Sequence, residues 1–302
     1  MSFITGAGST NVDLIYENIK RLPSLGEEVF SEGFSVRLGG GIPATLINLS
    51  RLGIKTKIAT ELGGDMFSLF AKDEFEKAGA SLYNLKGKSK IPLTVTSVIS
   101  QKSDRTFLSY SGYTEPDDEM KEAFYKLSSG AKITLMQKSG YTEVYRKLKN
   151  EGTILVLDTG RDDNMSLESY KEYLELADYY TPNKAEAMKI TNTASPLEAA
   201  KALKKHFERV IVKLDSEGCL GIDENGKRFT VKSIESFKHV DSTGAGDAFL
   251  AGFCYGLYKG FSFEDSILAG NVTGGKAVTD YGALSAYCTE EELLRYIKAY
   301  KK

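Results

Sequence analysis

Apolar residues recur along the chain with two periods, and the change from one to the other divides it. "SFITGAG" is a short apolar stretch ending in glycines, while "NVDLIYE" and "EEVFSEGFSVRL" (27–38) alternate apolar and polar positions as half-buried strands do. "PATLINLSRLG" instead sets Leu46, Ile47, Leu49 and Leu52 on one helical face and stops at Gly53, a natural C-terminal cap. From there strand and helix alternate: "KTKIATEL" precedes the helical "DMFSLFAKDEFEKAG", and the apolar runs "KITLM" (132–136), "TILVLD" (153–158) and "RVIVKL" (209–214) are separated by helical patterns at 141–150, 166–177 and 195–206. Near-continuous apolar strands between helices predict a parallel sheet covered on both faces.

Segments 11–38 and 92–111 break this rhythm. They keep period two and lack helices between them, which predicts a small antiparallel sheet, a lid on the main body, with "QKSD" turning between "PLTVTSVIS" and "RTFLSYS". Helical patterns dominate the end of the chain at 245–258, 263–279 and 289–300. The expected fold class is therefore α/β: a doubly wound, mainly parallel sheet flanked by helices with a small β-sheet lid, in a single domain over 1–302.

Composition narrows the partners. The 302 residues are 41% apolar and 26% charged with a formal charge of −2, so no cationic excess is available to neutralise a nucleic-acid backbone. Three widely spaced cysteines (Cys219, Cys254, Cys288) and two histidines (His206, His239) make no zinc pattern and suit reduced thiols in the cytoplasm. No basic leader and no run of 18 apolar residues is present, so neither secretion nor a membrane span is expected. Seventeen Tyr and 15 Phe accompany no Trp; Phe30, Phe34, Phe107, Tyr110 and Tyr113 fall in or beside the lid, where exposed apolar side chains would favour a homodimer paired lid to lid.

Two phosphate motifs are nearly spelled. "GAGSTN" follows a strand, but Asn11 takes the third glycine position and another strand pattern follows where a dinucleotide site needs a helix. "GIDENGKR" (221–228) has P-loop spacing up to Lys227, yet Arg228 replaces the required Ser or Thr, and Asn225-Gly226 between two strand patterns reads as a hairpin.

"DSTGAGDAFLAGF" (241–253) carries more. Gly244, Ala245 and Gly246 let backbone N–H groups approach a ligand at the start of a helix, which makes an anion hole; equally, small residues there let a buried helix pack closely. Asp247 separates the readings. A first-turn carboxylate gains only ~0.3–1 kcal/mol from the helix dipole, and beside a bound phosphate it repels the ligand. Accepting a proton from a hydroxyl that attacks the phosphoryl group gives that charge a purpose.

This stretch resembles the C-terminal signature of the ribokinase-like, or phosphofructokinase B family, carbohydrate kinases. "GSTNVDLIYENIKRLPSLGEEVFSEGFSVRLGGGIPATLINLSRLG" is similar to the family's opening in the order of Asn11, Asp13, Pro23, Gly26, Glu28, the glycine run and Gly53. The likeness runs from Gly8 to about Ala283. It implies a ribokinase-like fold and transfer of the γ-phosphoryl group of ATP to a primary hydroxyl of a small sugar such as ribose or fructose, with Mg²⁺. A nucleoside kinase of the same fold and a non-catalytic sugar-binding module are the alternatives.

By that resemblance Asp247 is the general base and the 244–246 backbone the anion hole. Asn11, Asp13, Gly40 and Gly41 match the sugar corner together with Thr45, where the family usually has Asn. Asn183 and Glu186 match an Asn-x-x-Glu element expected to hold Mg²⁺ through water, although the pair also reads as a helix cap. Lys213, Asp215 and Gly218 match the strand and turn flanking the nucleotide, Asp215 standing where Gly is commoner; Asn271 matches a residue beside the adenine and Gly282 the loop closing over it. Asp241 and Thr243 match positions that in some relatives bind a monovalent cation, so K⁺ is a possible further requirement.

Overall fold

The computed structural model describes residues 2–85, 89–101, 105–160 and 162–301. Its largest sheet holds six strands: β1 (Ile4–Ala7), β4 (Thr56–Thr60), β5 (Ser81–Asn84), β8 (Ile133–Met136), β9 (Ile154–Leu157) and β10 (Tyr179–Tyr180), in the order β10-β9-β8-β1-β4-β5 and parallel throughout. The strand period of two assigns alternate residues to two cores. Ile58, Ile133, Leu135 and Val156 pack on one face with α1 (Ile42–Arg51), α2 (Met66–Lys77), α8 (Ala245–Lys259), α9 (Phe263–Ala277) and α10 (Glu290–Tyr300). Ala59, Met136, Leu155 and Leu157 pack on the other with α3 (Asp118–Ser128), α4 (Thr142–Asn150), α5 (Lys171–Leu176), α6 (Lys184–Thr191) and α7 (Pro196–Leu203). Helices on both faces are what the apolar strands required.

The period-two segments form a sheet of their own: β2 (Asn11–Glu17), β3 (Gly33–Leu38), β6 (Thr94–Ser100) and β7 (Arg105–Ser111), ordered β3-β2-β6-β7. The sheet is mixed rather than antiparallel, because β2 and β6 run parallel between two antiparallel pairs. Those central strands belong to separate segments, so no hairpin fixes their direction. Of the turn expected at "QKSD", residues 102–104 lie outside the described residues. "RVIVKL" also departs from expectation. Its core, β11 (Val210–Lys213), heads a separate antiparallel sheet with β12 (Cys219–Ile222) and β13 (Arg228–Val231), which meets the main sheet's edge at the parallel bridge Asn183 to Lys213. The hairpin reading of "GIDENGKR" is correct, with Gly226 at φ +80° in the β12–β13 turn.

Candidate active site

The candidate side chains gather at the carboxyl ends of the parallel strands, where open α/β sheets bind ligands. The main sheet leads there through Asp158, next after β9, and through Asn183 just beyond β10. Helix α8 begins at the same place. Gly244 caps it in the left-handed region (φ +74°), and a Cβ at that position would lie 2.5 Å from the Ala283 Cα, so only glycine fits. The Ala245 N–H donates to the Ser242 carbonyl and the Ala248 N–H to that of Gly244. Gly246 and Asp247 contribute first-turn N–H groups, which a helix cannot pair with its own carbonyls. Of the backbone donors expected at 244–246, the Ala245 N–H is thus engaged within the loop.

Asp247 leaves this mouth toward the glycine run. Its Oδ1 accepts the Gly41 N–H at 2.9 Å, and a Cβ on Gly40 would sit 2.4 Å from its Oδ2. Burial and the charge of Asp158 push the Asp247 carboxyl up to about 7, against the opposing Gly41 N–H and Lys213; Asp13 adds to the rise. Asp13, buried on β2, accepts from Asn11 Nδ2 at 2.8 Å, while Asn11 Oδ1 takes the Thr96 hydroxyl at 3.1 Å. Burial raises Asp13 to about 6 although Asn11 and Arg105 pull it down. Thr45 belongs to the same glycine corner in sequence, but it lies inside α1 with 0% exposure and its hydroxyl has no partner among the described residues. The chain turns into α1 at Ile42, which takes Thr45 away from the accessible surface.

Lys213 brings a positive charge to the α8 mouth. Its Nζ is 3.5 Å from where a Gly246 Cβ would be and 5.7 Å from the Phe249 ring centroid. Asn183 and Glu186 form a true capping box on α6: Asn183 Oδ1 accepts the Glu186 N–H and Glu186 Oε2 accepts the Asn183 N–H, both at 2.9 Å. Burial raises Glu186 while Lys213 opposes. Asp215 sits at φ +53°, which explains why glycine suits that position, and pairs with Lys184 at 2.8 Å; Gly218 closes the same short turn. Asn271 is engaged within the fold, Nδ2 donating to the Val231 and Lys232 carbonyls and Oδ1 accepting from the Cys219 thiol. It ties α9 to the β12–β13 wall.

Two residues of this site escaped the sequence. Asp158 Oδ1 is buried with no hydrogen-bond partner among the described residues, and burial raises that carboxyl although Lys213 opposes. Its position after an apolar parallel strand was a usable signal. Arg105 opens β7 and crosses to the 241–247 loop, where Nη1 contacts Asp241 Oδ1 and Thr243 Oγ1; nothing local announces a partner 136 positions away.

An unpartnered buried Asp158 oxygen with Glu186 near Lys213 fits Mg²⁺ held mainly through water and phosphate, since among the described residues no group of three or more His, Cys, Asp or Glu stands ready to hold an ion directly. The proposed K⁺ position does not fit. Asp241 Oδ1 already takes the Thr243 N–H (3.1 Å), the Thr243 hydroxyl (2.8 Å) and Arg105, and Oδ2 takes the Gly282 N–H (2.9 Å).

A covered parallel sheet, a second sheet tied to the α8 mouth through Arg105, and the Asp247 carboxylate at that mouth together frame the candidate site. The chain belongs to the pfkB family of carbohydrate kinases, whose model matches residues 1–290. Among its relatives, an uncharacterized sugar kinase of Archaeoglobus fulgidus is 29% identical over 249 residues, covering 78% of this chain and 96% of that one. The Arabidopsis thaliana ribokinase structure complexed with ribose and ATP superposes with a TM-score of 0.83 at 24% identity, covering 99% of each chain. The Methanocaldococcus jannaschii nucleoside kinase, an archaeal member of the ribokinase family, gives 0.82 at 19%, again covering 99% of each. The family's enzymes are phosphotransferases, and so is this chain.

Proposed function

We propose that the protein is an ATP-dependent sugar kinase that phosphorylates a primary hydroxyl, with the β2-β3-β6-β7 sheet as a lid over a single ribokinase-like domain. The observation carrying this reading is the Asp247 carboxylate set at the first turn of α8, beside the Gly41 N–H and across from Asp13. Asp13, with Asn11 and the Gly40-Gly41 backbone, holds neighbouring sugar hydroxyls. Asp247 takes the proton of the attacking hydroxyl as its oxygen bonds to the γ-phosphorus; the bond to the β-phosphate oxygen breaks and ADP leaves. The N–H groups of Gly246 and Asp247, with the Lys213 charge, meet the charge on the transferred oxygens. Asp158, Glu186 and Asn183 would hold Mg²⁺, which neutralises phosphate charge when bound. Asp215, Gly218 and Gly282 shape the nucleotide wall that Asn271 braces.

The sealed position of Thr45 leaves the sugar-reading contacts to β2 and the glycine run, which favours a small polyol over a bulky base. A coupled assay of ADP release across ribose, fructose, 2-keto-3-deoxygluconate, adenosine and cytidine tests this, with turnover expected on a sugar. Turnover on a nucleoside alone would move the protein to the nucleoside kinases, and tight sugar binding by calorimetry with no ADP release would make it a binding module. Exposed Phe34, Phe107, Leu108 and Tyr110 on the lid support a homodimer paired through that sheet. Light scattering should then give twice the 33.2 kDa chain mass, and a monomer at micromolar concentration would refute the pairing.

A further inference from the structure

The loop that opens α8 carries a carboxylate, Asp241, whose environment is already complete. Three donors converge on Oδ1: the Thr243 N–H, the Thr243 hydroxyl and the Arg105 guanidinium. Oδ2 accepts the Gly282 N–H, so Asp241 pins the Gly282-Ala283 segment, and it is against Ala283 that Gly244 packs. A line of contacts therefore runs from Arg105 through Asp241 and Gly282 to the residue that caps the helix mouth.

Arg105 comes from another part of the molecule. It begins β7 in the four-stranded sheet, its Cζ is 5.6 Å from the Phe107 ring centroid, and the ion pair is largely shielded, with 30% and 11% side-chain exposure for Arg105 and Asp241. Guanidinium is a permanent charge with planar donors, and a shielded charge-assisted bond is stronger than an exposed one. What a bound K⁺ would give this loop, one positive charge fixed at Asp241, is supplied by a side chain.

We propose that Arg105 is a positioning residue that serves as the resident cation of the 241–247 loop. The helix mouth is organised only when the four-stranded sheet is seated, and the protein has no need of a monovalent cation. This rests on reading the mouth as the phosphoryl-transfer site.

The test uses the full chain as wild type, Arg105→Gln and Arg105→Lys, in KCl, NaCl and tetramethylammonium chloride at equal ionic strength. Two quantities are read: turnover on the best acceptor of the screen, and Tm. Wild type should show the same turnover and the same Tm in all three salts. R105Q should lose about tenfold or more in turnover in tetramethylammonium, recover part of it in KCl, and gain a KCl-dependent rise in Tm. R105K should stay near wild type.

Stimulation of the wild type by KCl overturns the proposal, as does an R105Q whose turnover and Tm ignore KCl. Should R105Q not fold, the salt response of the wild type and of R105K decides by the same criteria. The Tm measurements stand without catalysis: a chain that turns over no acceptor would refute the kinase reading, while a K⁺-sensitive Tm confined to R105Q would still uphold Arg105 as the resident cation.

Discussion

Asp241 and Asp247 bracket one loop and are driven in opposite directions. Burial pushes both carboxyls up. At Asp241 the N–H groups of Gly282 and Thr243, the Thr243 hydroxyl and the Arg105 charge outweigh burial and hold it below the usual range. Asp247 has the Gly41 N–H and a more diffuse attraction to Lys213, set against the negative charges of Asp158 and Asp13, and it rises to about 7. The comparison separates two uses of one residue type. A carboxylate saturated with donors is a fixed structural charge, whereas one starved of them near neutral pH can take up a proton and release it.

The widest gap between the two should open when the proposed base is removed. Asp247→Asn keeps the Gly41 hydrogen bond, because the amide oxygen still accepts, but cannot take a proton; turnover should fall about 10²–10⁴-fold, with the ATP dissociation constant little changed. Stability should move the other way. A carboxyl whose value in the folded protein, about 7, lies above its ordinary 3.8 favours folding while protonated, and that contribution is lost as pH rises through 7. At pH 8 the wild type bears a shielded charge that the variant lacks, so D247N should melt higher, with the difference closing toward pH 5. A variant that turns over within a few-fold of wild type, or melts lower at pH 8, would make Asp247 a structural charge like Asp241.

How far the chain could be read in advance follows the same division. The main sheet was legible because apolar strands between helices leave few arrangements, and the start of α8 at Gly244 because a glycine turn and the apolar helical run after it are consecutive in the chain. The mixed sheet was misread since the direction of β6 depends on its pairing with β2, more than eighty residues earlier. RVIVKL was assigned to the wrong sheet for a related reason: an apolar strand looks the same in a parallel or an antiparallel neighbourhood. Asp158 and Arg105 were missed because their meaning comes from what the fold brings beside them, a buried charge field in one case and a distant carboxylate in the other. Asn183 and Glu186 were correctly seen as able to cap α6, and their proximity to Lys213 became apparent only in three dimensions.

A smaller and more selective change sharpens the account of Asp247 itself. If burial alone raised its carboxyl, removing a neighbouring charge would do nothing; Asp158 is the largest electrostatic contributor after burial. Since the base must be unprotonated to accept the hydroxyl proton, kcat/KM of the wild type should rise with pH through about 7. Asp158→Asn deletes the like charge with little change of volume, so the Asp247 carboxyl should fall toward the ordinary range and the acid limb should move to lower pH. If Asp158 holds Mg²⁺ as proposed, its loss also lowers the plateau, but plateau height and limb position are read independently from one pH series at saturating Mg²⁺. A limb that stays near 7 in D158N would assign the rise to burial alone, and a limb that moves up would mean that the titrating group is not Asp247.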